Sequence, residues 1–443
     1  MNPNRHAKAS NFVNALLYSA ESISALLFSL VSISLIARHF GPEALSRFSV
    51  AQSVSTVFIV FATLGLEQFV VRDLHRNASD SEYISSIMIG MFGGWVIYVT
   101  LVIFYYILFN DFSRDQLLIA SVVVTTLFLK VTFIKSYLQA KNEPKPIAIA
   151  SLASRLLSIV YLITGEYFDF AFDTMMIYLP IQALTQILLI AIKQPKFIKL
   201  VQAKHFNVYR LSVSIREASP LFFSTVLYYF YTQSDILMMS KLLDSRTVGI
   251  YSASVRLISQ AAFIGYVLVA TFYKQMDSKF RQDKEAFKAY VKSLLTILFA
   301  CGMLMSIGIF LTSEIVINLL YGSLYKESGD VLAITCWAWV FILPATLYSR
   351  LLITLGLAKY ELIKMLIVAP IVLLLNYVAI SGIGMKGCAF VFVFSYVLVD
   401  FLIYFIFKET RYLALVGLSA LVDIFTKPRQ AFRMTVDMLK ARS

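Results

Sequence analysis

The sequence predicts an all-α integral membrane protein, with twelve transmembrane helices in two six-helix lobes. A pseudo-two-fold axis along the membrane normal relates the lobes. Three observations carry this expectation. Twelve apolar stretches run through the 443 residues, cations alternate from one side of them to the other, and short segments recur at matching places in the two halves.

Most stretches reach the ~20 residues that a helix needs to cross a hydrocarbon core. The first, 11–37, is too long for a cleavable signal and has no small-residue cleavage site behind it. It carries Asn11, Asn14, Tyr18 and Glu21 on one helical face. The second, 48–66, does the same with Ser49, Gln52, Thr56 and Thr63. The third, 84–108, contains Gly90, Gly93 and Gly94, which allow close helix packing. The fourth, 116–138, holds Lys130 and Lys135, and the short fifth, 147–164, aligns Ser151, Arg155 and Ser158. The sixth is 174–192. The seventh, 218–240, sets Ser224, Tyr228, Tyr231 and Asp235 on one face, and the eighth, 248–273, sets Ser252, Arg256, Ser259 and Gln260. The last four are 291–312, 331–354 with Arg350, 362–381, and 387–407 with Asp400. Pro180, Pro220, Pro344 and Pro370 lie inside spans and mark kinks.

Charge orients these spans. Connections on one side, with the N-terminus and the tail, hold 27 Lys and Arg; the other side holds seven. The positive-inside rule puts both termini in the cytosol. The net charge of +13 is then a cytosolic face beside anionic membrane lipid, with no call for nucleic acid.

Composition excludes much else. At 59% hydrophobic and 15% charged there is no room for a large soluble domain. Cys301, Cys336 and Cys388 lie in apolar spans and read as packing residues. The four histidines, His6, His39, His75 and His205, are scattered over both faces, so no metal site is expected. No phosphate-binding glycine loop, aspartate-rich pyrophosphate motif or hydrolase serine is present. The expectation is a non-enzyme without cofactor.

The halves echo each other. Residues 38–53 align with 241–256 without gaps, bringing Arg38 to Lys241, Phe48 to Tyr251 and Ser49 to Ser252. Lys141-Asn142-Glu143 matches Lys359-Tyr360-Glu361. Six helices per half is even, so the halves share an orientation. The expected division is an N-lobe at 1–192, a cytosolic amphipathic connection at 193–217, a C-lobe at 218–407, and a basic cytosolic tail at 408–443.

With Lys292 and Lys364, at the ends of their spans, counted among the connections, five cations remain inside spans. Lys135 lies near the cytosolic end and snorkels. Lys130, Arg155, Arg256 and Arg350 are deeper, where a charge faces protein or water. Two readings stay open for these four and for Glu21, Asp235 and Asp400: structural ion pairing, or a hydrated, net positive cavity. For the Ser and Thr of the stripes, backbone bonding is the first reading.

The run DILMMSKLLDSRTVGIYSASVRL from Asp235 to Leu257 resembles the seventh-to-eighth helix signature of O-antigen flippases (Wzx-type). These belong to the multidrug/oligosaccharidyl-lipid/polysaccharide (MOP) superfamily of exporters. Leu320-Tyr321-Gly322, Arg38-His39-Phe40-Gly41-Pro42-Glu43 and Gly384-Met385-Lys386-Gly387 resemble that family's segments in the same order, so the resemblance spans the chain. Ser46 and Arg47 depart from the family's usual glycine and apolar residue. The resemblance implies a MATE-like V shape and a cavity lined by the first, second, seventh and eighth helices. It also implies a substrate, an undecaprenyl-pyrophosphate-linked oligosaccharide flipped to the outer leaflet, with polysaccharide polymerase and chain-length proteins as further partners. Arg155, Arg256, Lys130 and Arg350 would grip phosphate. Tyr228, Tyr231, Gln52 and Gln260 would meet sugar, and Glu21, Asp235 and Asp400 would couple ions. Alternatives are a multidrug antiporter of the same fold, which favours acidic residues, and a membrane O-antigen polymerase or ligase, which carries a large outer loop. A lipid II flippase of the superfamily usually has two further helices.

Overall fold

The computed structural model describes residues 3–66, 69–70, 73–74, 80–109, 119–124, 133–195, 200, 202–260 and 262–429; for most of 3–19, and at a few later positions, only the backbone is described. The described secondary structure is helical throughout. Among the described residues, nine helices are long and apolar enough to cross a membrane. The first of these, Ala20–Thr63, covers two of the expected spans, so the number nine does not count crossings.

Those two spans form one helix, α1 (Pro3–Thr63), broken at Gly41. Gly41 adopts φ 77°, and Pro42 follows with no N–H to donate. A side chain at this φ costs energy that glycine does not pay, and proline cannot continue the ladder, so the outer turn shrinks to one residue. The next elements are α2 (Ser81–Leu108), α3 (Phe133–Ala140), α4 (Pro144–Tyr167), α5 (Phe172–Met176) and α6 (Tyr178–Lys193). Then come α7 (Val208–Leu242), α8 (Ser245–Gln260), α9 (Ala262–Gln282) and α10 (Lys284–Tyr321). The last are α11 (Ser328–Thr335), α12 (Trp339–Thr354), α13 (Lys359–Ile383), α14 (Met385–Asp400) and α15 (Arg411–Thr426). Every expected span except 116–138 contains a long stretch of described helix; that one is described only at 119–124 and from Phe133. Pro220, Pro344 and Pro370 lie inside α7, α12 and α13, whereas Pro180 sits in the first turn of α6.

The chain divides into two compact units, Met1–Leu237 and Met238–Ser443. In the first unit α1 packs on α2 and α4, and α4 packs on α6. Gly94 lets α2 approach α1 so closely that a Cβ there would stand 2.4 Å from the Phe61 carbonyl oxygen. Gly90 is pressed by Leu211 of α7, but a Cβ added at Gly93 would meet nothing within 4 Å among the described residues. In the second unit α10 is the long axis, contacting α9, α11, α12 and α15. Ser254 Oγ donates to the Ser328 carbonyl at 2.6 Å and Ser328 Oγ to the Ile250 carbonyl at 2.7 Å, which fastens α8 to α11 reciprocally.

The helices are inverted relative to those of a water-soluble protein. On α4 the buried face is Ser151, Ser154, Arg155 and Ser158, while Leu152, Leu156, Val160 and Ile163 are exposed. On α13 Lys364 and Asn376 are buried while Leu366, Leu374 and Val378 are exposed. Apolar residues outward and polar residues inward is the arrangement that a hydrocarbon solvent selects.

Two expectations about local structure change. The tail is more than a basic extension, because α15 lies within it and packs Leu413, Ala414, Gly417 and Ala420 against the second unit. The match of Lys141-Asn142-Glu143 to Lys359-Tyr360-Glu361 is out of register in space. Asn142, at φ 56°, and Glu143 make backbone bonds to Gln139 and Leu138; Gly356, at φ 71°, and Leu357 make the same pair to Ile353 and Leu352. These are equivalent left-handed helix caps, so Asn142 corresponds to Gly356.

Candidate functional site

Helical spacing places Glu21 and Ser24 on one side of α1 and Arg155 on the buried side of α4, and the α1–α4 contact brings them together. Arg155 is 7% exposed. Its Nη2 donates to Glu21 Oε1 at 2.8 Å, and its Nη1 donates to the Glu21 carbonyl at 2.9 Å and to Ser24 Oγ. Ser24 Oγ donates onward to the same carbonyl at 2.9 Å. Arg155 Nε is buried and has no partner among the described residues. Lys135, half-buried on α3, feels the charges of both Glu21 and Arg155. Below the pair, Gln186 of α6 donates to Ser151, and Ser158 bonds the Ser154 and Tyr178 carbonyls.

The other expected site residues fall in different places. Asp235 is buried and accepts from the Ile236 N–H at 2.7 Å. Tyr231 is buried and meets Tyr228 edge to face at 5.6 Å, while Tyr228 itself is 41% exposed. Gln52 is half-buried, and Thr56 bonds back to its carbonyl, as expected of stripe hydroxyls. Arg256 is half-buried within electrostatic reach of the Tyr321 hydroxyl, and Gln260 is half-buried one turn on. Arg350 is exposed, with no ion-pair partner among the described residues. Lys130 lies outside the described residues, as do the side chains of Asn11, Asn14 and Tyr18.

Asp400 belongs to a buried cluster that sequence reasoning missed. Lys364 counts as a connection cation by sequence, yet it is only 2% exposed. Its Nζ lies 2.8 Å from Glu361 Oε2 and 3.7 Å from Asp400 Oδ1, and donates to the Tyr404 hydroxyl at 3.1 Å. Two carboxylates thus share one ammonium between the start of α13 and the end of α14. The usable signal was the i,i+3 spacing of Glu361 and Lys364 beside a lone acid in the last span.

Outward-facing aliphatics and inward-facing ion pairs define a multi-pass membrane protein with charged groups built into its spans. The chain belongs to the family described as "Polysaccharide biosynthesis protein", whose profile matches residues 13–273. A search of curated proteins returns no match. Among solved structures the chain is similar to the lipid II flippase MurJ in an inward closed conformation, with 16% identity, TM-score 0.69, and 96% of each chain covered. It is also similar to the eukaryotic MATE transporter AtDTX14, with 12% identity, TM-score 0.54, and 98% and 99% covered. An outward-facing multidrug resistance MATE family transporter of the MOP superfamily matches at 15% identity and TM-score 0.50, with 94% of each chain covered. At these identities the likeness is one of fold, the fold that these flippase and MATE transporter structures share.

Proposed function

We propose that this protein flips an undecaprenyl-pyrophosphate-linked oligosaccharide from the cytosolic to the outer leaflet of the inner membrane by alternating access. The observation that carries the reading is Arg155, a guanidinium held inside a membrane helix with donors to spare. A pyrophosphate is a concentrated anion that a guanidinium grips in two-pronged fashion. Arg256, Arg350 and Lys130 would extend the anion path, and the Tyr228–Tyr231 pair with Gln52 and Gln260 would meet sugar. Glu21, Asp235 and Asp400 are the candidates for ion coupling. Membership in a polysaccharide biosynthesis family and likeness to a lipid II flippase both support a lipid-linked cargo. Polysaccharide polymerase and chain-length proteins would act on the product outside.

Deletion of the gene tests this reading by the sidedness of what accumulates. Complete lipid-linked units facing the cytosol are expected. Single units in the outer leaflet would indicate a polymerase, and an unchanged sugar profile with altered drug tolerance would indicate the antiporter of the same fold.

A further inference from the structure

The bonding of Arg155 is lopsided. A guanidinium offers a side-on fork, Nε with Nη2, that matches two oxygens of one oxyanion. Here Nη2 reaches Glu21 Oε1, while Nε is buried with nothing to bond among the described residues. The fork is half filled, and a buried donor left empty is unfavourable. A pair selected only for stability would have closed both prongs with one carboxylate.

The other half of the guanidinium is anchored independently of the carboxylate. Nη1 rests on the Glu21 carbonyl and on Ser24 Oγ, both fixed by helix α1. If the Glu21 carboxylate swings away, Arg155 stays in place. The exposure of the two partners agrees: the Glu21 side chain is 23% exposed and that of Arg155 9%. The acid is the accessible, replaceable member. With Lys135 close enough to feel both charges, the described residues put two cations against one carboxylate at the site. An anion entering it meets a net positive charge.

We propose that Glu21 is a displaceable placeholder in a phosphate site, occupying half of the Arg155 fork until two oxygens of a phosphate group take the whole of it. The inference rests on the flippase reading for its substrate and adds to it an exchange: anion in, carboxylate out. The placeholder offsets part of the positive charge of the empty site inside the membrane, and its displacement makes entry of the cargo the event that breaks the α1–α4 ion pair.

The test is calorimetric titration of the purified full-length protein in detergent with inorganic pyrophosphate. Glu21→Gln removes the competitor and should tighten binding by about tenfold or more, the value of one charge-assisted hydrogen bond. The gain should vanish in Glu21→Gln combined with Arg155→Gln, and Arg155→Lys, which lacks the fork, should show less than half of it. If Glu21→Gln folds poorly, Glu21→Asp, one methylene shorter, should tighten binding in the same direction. Unchanged or weaker binding in both Glu21 variants overturns the exchange, as does a gain that survives loss of Arg155. Silence from wild type and every variant overturns it too. The sugar-accumulation experiment decides the flippase reading separately: normal accumulation with no exchange spares that reading, and exchange without accumulation leaves a phosphate site in search of another cargo.

Discussion

Lys364 and Arg155 show what single residues reveal and conceal. Arg155 was legible, because a cation in the middle of an apolar stretch stands out and Ser151 and Ser158 place it on a polar face. Its pairing with Glu21 was not, since 134 residues separate them and only the α1–α4 contact decides it. Lys364 was misjudged because hydropathy gives position along a chain and says little about depth near the end of a span. Its ammonium serves Glu361, Asp400 and Tyr404 at once, so removing it strands a buried acid, Asp400, and a half-buried one, Glu361. Breaking a buried pair by deleting one partner costs ~3–5 kcal/mol. Lys364→Met should therefore lower the thermal unfolding midpoint in detergent sharply. Adding Glu361→Gln and Asp400→Asn should recover a large part of the loss, because neutral amides need no counter-charge. A single variant as stable as wild type would mean that the cluster holds nothing together.

At the scale of elements, span positions were readable but their ends and contacts were not. The apolar stretch before Gly41 and the one after it were visible; that one residue would join them was a matter of φ. The Asn142 and Gly356 caps close the fourth helix of each expected half, so the repeat survives in the backbone where the residue-by-residue match fails. Helix α15 escaped notice because the basic residues around it read as tail, yet Asp423 pairs with Lys292 of α10, and Gly417 leaves room for the Tyr348 hydroxyl. Gly94 and Gly93 are adjacent and were read alike. Packing separates them, so Gly94→Ala should cost ~1–3 kcal/mol through overpacking and reduce folded yield, while Gly93→Ala should be tolerated. Equal yields would show that α1 and α2 have slack at this crossing. The start of α2 carries a pH-sensitive contact. Burial favours the neutral form of Asp80, but the Tyr83 N–H and the Arg210 guanidinium outweigh it and hold its carboxyl below the ordinary carboxylate range. A depressed value stabilises the folded state above the ordinary pKa and ceases to do so as pH falls through the folded one. Proteolysis at 200–210 should accordingly quicken as pH is taken down through and below the carboxylate range, and Asp80→Asn should cleave at one rate throughout.

For the whole molecule, the alternation of charge and the polar contacts between connections are independent statements about which loops share a side. His39 bonds Asp169 at 3.1 Å, and Lys386 bonds Asp330 at 2.8 Å; all four residues lie in connections assigned to the outside by charge. Arg210 bonds Asp80, Gln194 bonds Glu143 at 3.2 Å, and Lys292 bonds Asp423; these six lie in connections assigned to the inside. None of these five contacts crosses the assignment. A wrong helix count between any two bonded connections would have moved one of them to the opposite face, some 30 Å away. The expected topology follows: reporter fusions in 110–113, 166–171 and 323–329 should all report an outer location, and fusions after 426 a cytosolic one. Residues 110–113 lie outside the described part of the structure, so there the prediction rests on charge alone. At 166–171 it rests on more. A cytosolic signal there would carry Asp169 inward and His39 with it, and would reverse α1, α4 and the Glu21–Arg155 pair between them. That one result would undo the twelve-helix alternation and the proposed cytosolic approach of the substrate together.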